Sequence, residues 1–278
     1  MMALAVVFFT CIDTSAKWLI LSGLPTLQVV FMRYLGHFTF SACVYLPSEG
    51  LDVFRSDSPR KQLLRSFFLL ASTVCNFAAL KYLPITVTTT ITFAGPVAIT
   101  LLAIPILKER VGIHRMLAVC AGFGGVVVVM QPWGAEFHPA MFFSLAALLN
   151  AALYFIMTRM LAGIEGSSTQ QMWASGLATV AMVPFVISGW VWPDNLLQWT
   201  VFIVIGAFGA LGHISATTAH RWADASILSP IIYIQIFFAA IAGVLVFNTW
   251  PTVWTFGGGS IIVASGIYIW IRERKARA

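Results

Sequence analysis

Ten apolar stretches, most of them about 19 to 24 residues long, leave this chain little length for anything else. They run over 2–22, 24–46, 62–80, 84–107, 112–131, 138–161, 171–192, 196–219, 225–248 and 251–271. A bilayer core of ~30 Å takes ~20 helical residues at ~1.5 Å each. Backbone groups in lipid must be satisfied within their own segment, so each stretch is expected to be a helix. Charged residues are 9% of the chain, against ~25% in soluble domains. No gap is long enough for an extramembrane domain. The expected fold is therefore all-α integral membrane, with ten transmembrane helices.

Charge supplies orientation. Of the 16 Lys and Arg, Arg55, Arg60, Lys61, Arg65, Lys108, Arg110, Arg115, Arg159, Arg221, Arg272, Arg274, Lys275 and Arg277 fall in every second gap, at the stretch ends that border it, or in the tail. Lys81 falls on the opposite side, and Lys17 and Arg33 lie within stretches. Positively charged loops stay cytoplasmic, so both termini are expected inside, in a bacterial-type inner membrane. The net charge of +6 then faces anionic headgroups rather than nucleic acid. The N-terminus lacks the basic region and cleavage site of a signal peptide, so the first stretch is expected to remain as a span. Cys11, Cys43, Cys75 and Cys120 sit in four different stretches without metal-ligand spacing. They read as small packing residues, and neither metal nor cofactor is expected.

The two halves look related. Ala79-Leu80-Lys81-Tyr82 after the third stretch parallels Ala219-His220-Arg221-Trp222 after the eighth, 140 residues on, with Lys81 outside and Arg221 inside. Leu107-Lys108-Glu109 parallels Val246-Phe247-Asn248 at a shift of 139, and both fifth stretches are glycine-rich. Five is odd, so a second copy inserts upside down. The expected units are a repeat at 1–131, an inverted repeat at 138–271 and a basic cytoplasmic tail at 272–278. Two bundles of opposite orientation can expose a midplane site to one side and then the other. That is the signature of a carrier. The oligomeric state is left open.

Phe93-Ala94-Gly95-Pro96-Val97-Ala98, running on to Leu107-Lys108-Glu109-Arg110, resembles the fourth-helix pattern of the drug/metabolite transporter superfamily, EamA type. So does Ala225-Ser226-Ile227 through Pro230, Tyr233 and Gln235 to Phe247-Asn248 and Pro251-Thr252. Arg33-Tyr34 resembles the second-helix motif, and Asn150 to Tyr154 the sixth-helix motif. The likeness covers the whole chain and is strongest to the YddG-type exporters of aromatic and other neutral amino acids. It implies ten helices around a central cavity, with the fifth and tenth aside. Asn248 departs from the family's acidic residue at the end of the ninth helix.

Ionisable residues inside a membrane pair with one another or mark a pathway. Asp13 and Arg33 fall at similar depths near the centre. Two readings stand: mutual neutralisation, with Asp13 paired to Arg33 or Lys17, or a zwitterion site. Lys17 is expected to reach toward the outer interface, and His37 to be a hydrogen-bonded packing residue. Pro96 leaves the Thr92 carbonyl without a donor, and Pro230 does the same for Ser226. Paired breaks of this kind point to a binding site, or to packing kinks alone. The candidate substrate-binding residues are Asp13, Arg33, Asn76, Thr89, Thr92, Pro96, Asn150, Tyr154, His213, Pro230, Tyr233 and Gln235, with Trp173 also considered.

The sequence holds no Walker A loop and no intramembrane protease motif, and Asp13 is the one acid within a stretch. An enzyme and a channel are therefore weaker readings than a carrier. The expected function is export of small neutral amino acids by alternating access. The alternative is export of another metabolite or drug of the same superfamily.

Overall fold

The computed structural model describes residues 1–108, 112–134, 137–222 and 231–277. Eleven helices are defined among them: α1 (Met2–Leu21), α2 (Thr26–Glu49), α3 (Pro59–Leu80), α4 (Ile85–Thr92), α5 (Gly95–Leu107), α6 (Ile113–Met130), α7 (Met141–Leu161), α8 (Ser167–Val186), α9 (Leu196–Trp222), α10 (Gln235–Phe247) and α11 (Val253–Arg277). No strand occurs among the described residues. Among the described residues eight spans are long and apolar enough to cross a membrane, with α4 and α5 together forming one. Shorter apolar helices at Met116–Met130 and Gln235–Phe247 fall within the fifth and ninth stretches. Pro25, Pro59 and Pro84 each stand at a helix start, where a missing N–H costs nothing.

The fourth stretch is broken. Phe93 and Ala94 leave the helix between α4 and α5, and Pro96 sits in the first turn of α5, with no N–H for the Thr92 carbonyl. The ninth stretch breaks at Tyr233 and Ile234, 140 residues later. The α5 and α10 helices each have 13 residues and end in left-handed caps, Lys108 at φ 55° and Asn248 at φ 52°. In this register Ile236, not a proline, stands opposite Pro96. The second break is carried by tight bonds, Ile236 N–H to Tyr233 O at 3.2 Å and Phe237 N–H to Ile234 O at 3.0 Å. Pro230, the expected counterpart of Pro96, lies outside the described residues, as do Glu109, Arg110 and Ala225 to Ser229. The same register corrects the alignment of Asn248. It matches Lys108 rather than Glu109, and Asn tolerates the left-handed cap better than most residues. Thr249 takes the Glu109 place and closes α10, its N–H bonding Gly243 O at 2.9 Å.

Contacts between equivalent elements show the inversion. Near the start of α4, Ile85 packs beside Gly243, and at its end Phe93 meets the Tyr233 ring edge-on at 5.5 Å. One chain advances while the other retreats, so the pair is antiparallel. The fifth helices behave likewise: Gly122 lies against Ser265, Gly125 against Ile261 and Ile262, and Val129 against Gly258. A 140-residue shift also carries α1 onto α7 and α3 onto α9. The packing of α1 on α9 is therefore repeated as α7 on α3. The fold is two inverted five-helix repeats.

Two glycines set the spacing at the centre. A Cβ on Gly36 would lie 2.9 Å from the Gly206 Cα, so the α2 and α9 backbones nearly touch. This close approach carries Arg33, one turn away on α2, to the α9 face that bears His213. Gly206, among the small residues of the eighth stretch, thus serves close helix packing. All four cysteines are free thiols; Cys43 and Cys120 are exposed on the bundle surface rather than packed within it.

A polar cavity between the two repeats

A cavity of about 240 Å³ lies between the repeats. Its wall comes from α1, α2, α3, α4, α7, α9 and α10, and α6 and α11 contribute nothing to it. Of the residues singled out from sequence, Asp13, Arg33, Asn76, Thr92, Tyr154, His213 and Gln235 line it. Thr89, Pro96, Asn150 and Tyr233 stand off the wall. Thr89 is buried, Pro96 is exposed and Asn150 bonds back to Ala146 O at 2.8 Å. Tyr233 packs its hydroxyl against Gly266 and its ring against Phe93. Trp173 donates to Phe54 O at 3.0 Å and lines a separate apolar groove between α2 and α8.

Within the cavity the charges do not cancel. Among the described residues no ion pair joins Asp13 to Arg33 or Lys17; the one seen is Arg55–Asp52, on the surface at 3.0 Å. Asp13 accepts instead from Asn76 Nδ2 at 2.9 Å. Arg33 is 5% exposed, its Nη2 lies 3.5 Å from His213 Nε2, and its guanidinium stacks 4.2 Å from the Tyr34 ring centre. Tyr34 is itself fixed by Thr73 Oγ1 at 2.8 Å and Leu69 O at 3.1 Å. The Nε and Nη1 atoms of Arg33 are buried without a hydrogen-bond partner. A buried guanidinium with two free donors is costly unless something else fills them. His37 stacks on His213 at 5.3 Å, and neither of its ring nitrogens has a partner within hydrogen-bond geometry.

Lys17 departs from expectation. It is 6% exposed and stays within the bundle, donating Nζ to Leu80 O at 3.1 Å and to Leu83 O. These carbonyls cluster where α3 ends, and a helix C-terminus carries partial negative charge. The helix end replaces a carboxylate as counter-charge. The Phe247 ring, 5.3 Å away, adds α10 to the same knot.

Sequence reasoning placed Arg65 in a cytoplasmic gap. The α3 helix instead starts at Pro59, so Arg65 lies inside it, 4% exposed. Its Nε donates to Thr158 Oγ1 at 2.8 Å, Nη1 to Gln170 O at 3.0 Å and Nη2 to Tyr154 OH at 2.9 Å. Pro59, a good first residue for a helix, was the available signal. Phe9, Ser72, Thr73, Phe77 and Phe155 also line the cavity, and a rotation about the helix axis, which sequence does not supply, decides that.

Antiparallel apolar helices, built as two inverted copies around a polar cavity, define a membrane transporter of small solutes. The chain belongs to the EamA-like transporter family, which it matches over residues 1–131 and 138–271. It is 26% identical to a Rickettsia bellii protein named S-adenosylmethionine uptake transporter, across 95% of this chain and 90% of that protein. It is 27% identical to a Rhizobium johnstonii riboflavin transporter, across 99% and 91% respectively. A Pseudomonas aeruginosa protein named pseudopaline exporter is 25% identical, across 88% and 86%. A solved structure described as "Crystal structure of protein" superposes with a TM-score of 0.63 over 99% of both chains, at 17% identity, which speaks to the fold alone. The three named relatives carry the names of S-adenosylmethionine, riboflavin and pseudopaline transporters, and not that of the expected YddG-type amino-acid exporters. The protein is a multi-pass membrane transporter with bacterial relatives, and not an enzyme.

Proposed function

We propose that the chain is a secondary carrier for a small metabolite bearing an amino-acid headgroup, moved by alternating access. The observation that carries this is the separation of Asp13 and Arg33 in one cavity. An acid held by Asn76 and a base with two free donors suit an ammonium and a carboxylate on one substrate. Phe9, Phe77, Tyr154 and Phe155 offer apolar and ring surface for the remainder. S-adenosylmethionine, named for the Rickettsia bellii relative, joins such a headgroup to a flat base and is the first candidate. Free neutral amino acids are the second reading, favoured by size. The cavity of about 240 Å³ is smaller than the ~300–1,000 Å³ usual for drug-sized ligands, so a nucleoside would require it to widen. Loop charge supports both termini in the cytoplasm, with repeats 1–131 and 138–271 and a basic tail 272–278 in an inner membrane.

The test is counterflow in liposomes with labelled S-adenosylmethionine, methionine, phenylalanine, threonine and riboflavin. Uptake of one or more of the first four, above protein-free vesicles, is expected. Riboflavin lacks the amino-acid headgroup, and its selective transport would sink the reading.

A further inference from the structure

Arg65 is a buried cation whose three observed hydrogen-bond partners are neutral. The direction of each bond is fixed by chemistry. Arginine donates and never accepts, so the Tyr154 hydroxyl must accept from Nη2. Thr158 Oγ1 spends its own hydrogen on Tyr154 O at 2.8 Å, which leaves its lone pairs for Arg65 Nε. The guanidinium also lies 4.7 Å from the Tyr154 ring centre, so ring and hydroxyl are both held. Tyr154 has one hydrogen left to donate, and Tyr154 lines the cavity.

We propose that Tyr154 donates this hydrogen to the substrate carboxylate and that Arg65, without touching substrate, is the positioning residue that fixes it as a donor. A hydroxyl that accepts from a guanidinium donates more strongly, since hydrogen bonds in series polarise one another. The carboxylate is then held from two sides, by the free Arg33 donors and by Tyr154. This rests on the amino-acid headgroup proposed above and adds a residue outside the cavity wall to the recognition of that group.

The pair to compare is methionine and methioninamide, which differ only at the carboxylate. Each competes against labelled S-adenosylmethionine, or against labelled methionine if that is the better substrate, in counterflow. The wild-type carrier is expected to prefer methionine. Tyr154→Phe keeps the ring and should weaken methionine about tenfold or more, while methioninamide is little changed, because a hydrogen bond to a charged group is lost. Arg65→Lys keeps the charge but not the fork and should shift the same ratio. The double variant should be no worse than Tyr154→Phe alone. Equal weakening of acid and amide by Tyr154→Phe overturns the proposal, and so does strict additivity of the two changes in a folded double variant. If Arg65→Lys does not fold, the Tyr154→Phe ratio decides alone. A wild-type carrier that moves riboflavin and neither labelled probe overturns the functional reading instead. A wild-type carrier that binds both competitors equally overturns the role of Tyr154 together with the carboxylate contact assigned to Arg33, whereas a preference for methionine that Tyr154→Phe leaves intact overturns only the role of Tyr154.

Discussion

The two repeats share a frame and differ in chemistry. Under the 140-residue shift Asp13 corresponds to Leu153, Arg33 to Trp173, Asn76 to Ala216 and Lys17 to Met157. Breaks, helix lengths and left-handed caps recur in register, yet the polar side chains at those places belong to the first repeat. The second contributes His213, Tyr154 and Gln235, from positions whose counterparts are Thr73, Thr14 and Gly95. Alternating access needs both copies of the frame, because one must rock against the other. Recognition has no such need, since a substrate with a distinct head and body is itself asymmetric.

Matched substitutions can break this contrast. Arg33→Leu should lower counterflow of the amino-acid-bearing substrate about a hundredfold or more, as two hydrogen bonds to a charged group are lost. Trp173→Leu, its counterpart, should leave the rate close to wild type. Equal loss from both would show that the second repeat also recognises substrate. Asp13→Asn should cost about tenfold in half-saturation concentration, since Asn76 keeps a partner but the substrate ammonium loses its counter-charge. Leu153→Asn should not compensate when combined with it.

The remaining changes test the frame and are read as melting in detergent. Gly36→Ala drives a methyl into the Gly206 backbone and should destabilise by ~1–3 kcal/mol. Its counterpart Gly176→Ala meets only the edge of the Phe38 ring, 3.1 Å away, and should cost less. Lys17→Met makes the first repeat like the second at that place. Losing the donor to Leu80 O and Leu83 O should cost about 1 kcal/mol, part of it offset because no buried charge remains. A rise in stability would mean that the ammonium is present for transport rather than for folding.

The frame was legible in the sequence because it is written in long-range regularities. Segment length and the fourth-segment Gly95-Pro96 break both survive into the structure. The site was half legible. Asp13, Arg33 and Asn76 announced themselves as polar groups where lipid forbids them, and the structure places all three on the cavity wall. Asn150 carried the same signal but satisfies itself on its own helix. The second break was sought at a proline, yet Tyr233 and Ile234 turn without one at the matching place. Arg65 was missed because a cation near a helix start normally faces water. Only the meeting of α3, α7 and α8 shows that three neutral oxygens replace that water.

Phe93 and Tyr233 occupy the same place in their repeats and touch each other. In a dimer of identical five-helix chains, a residue on such an axis would face its own copy. Adding an oxygen there would add two, in mirrored pockets that both had to make room. A single chain is released from that rule. The hydroxyl sits on one side only, against Gly266, while the place matching Gly266 in the first repeat is filled by Val126. Covalent linkage thus does more than keep two copies together. It lets each axial position be chosen once, so the machine can stay symmetric in motion while its fittings are not.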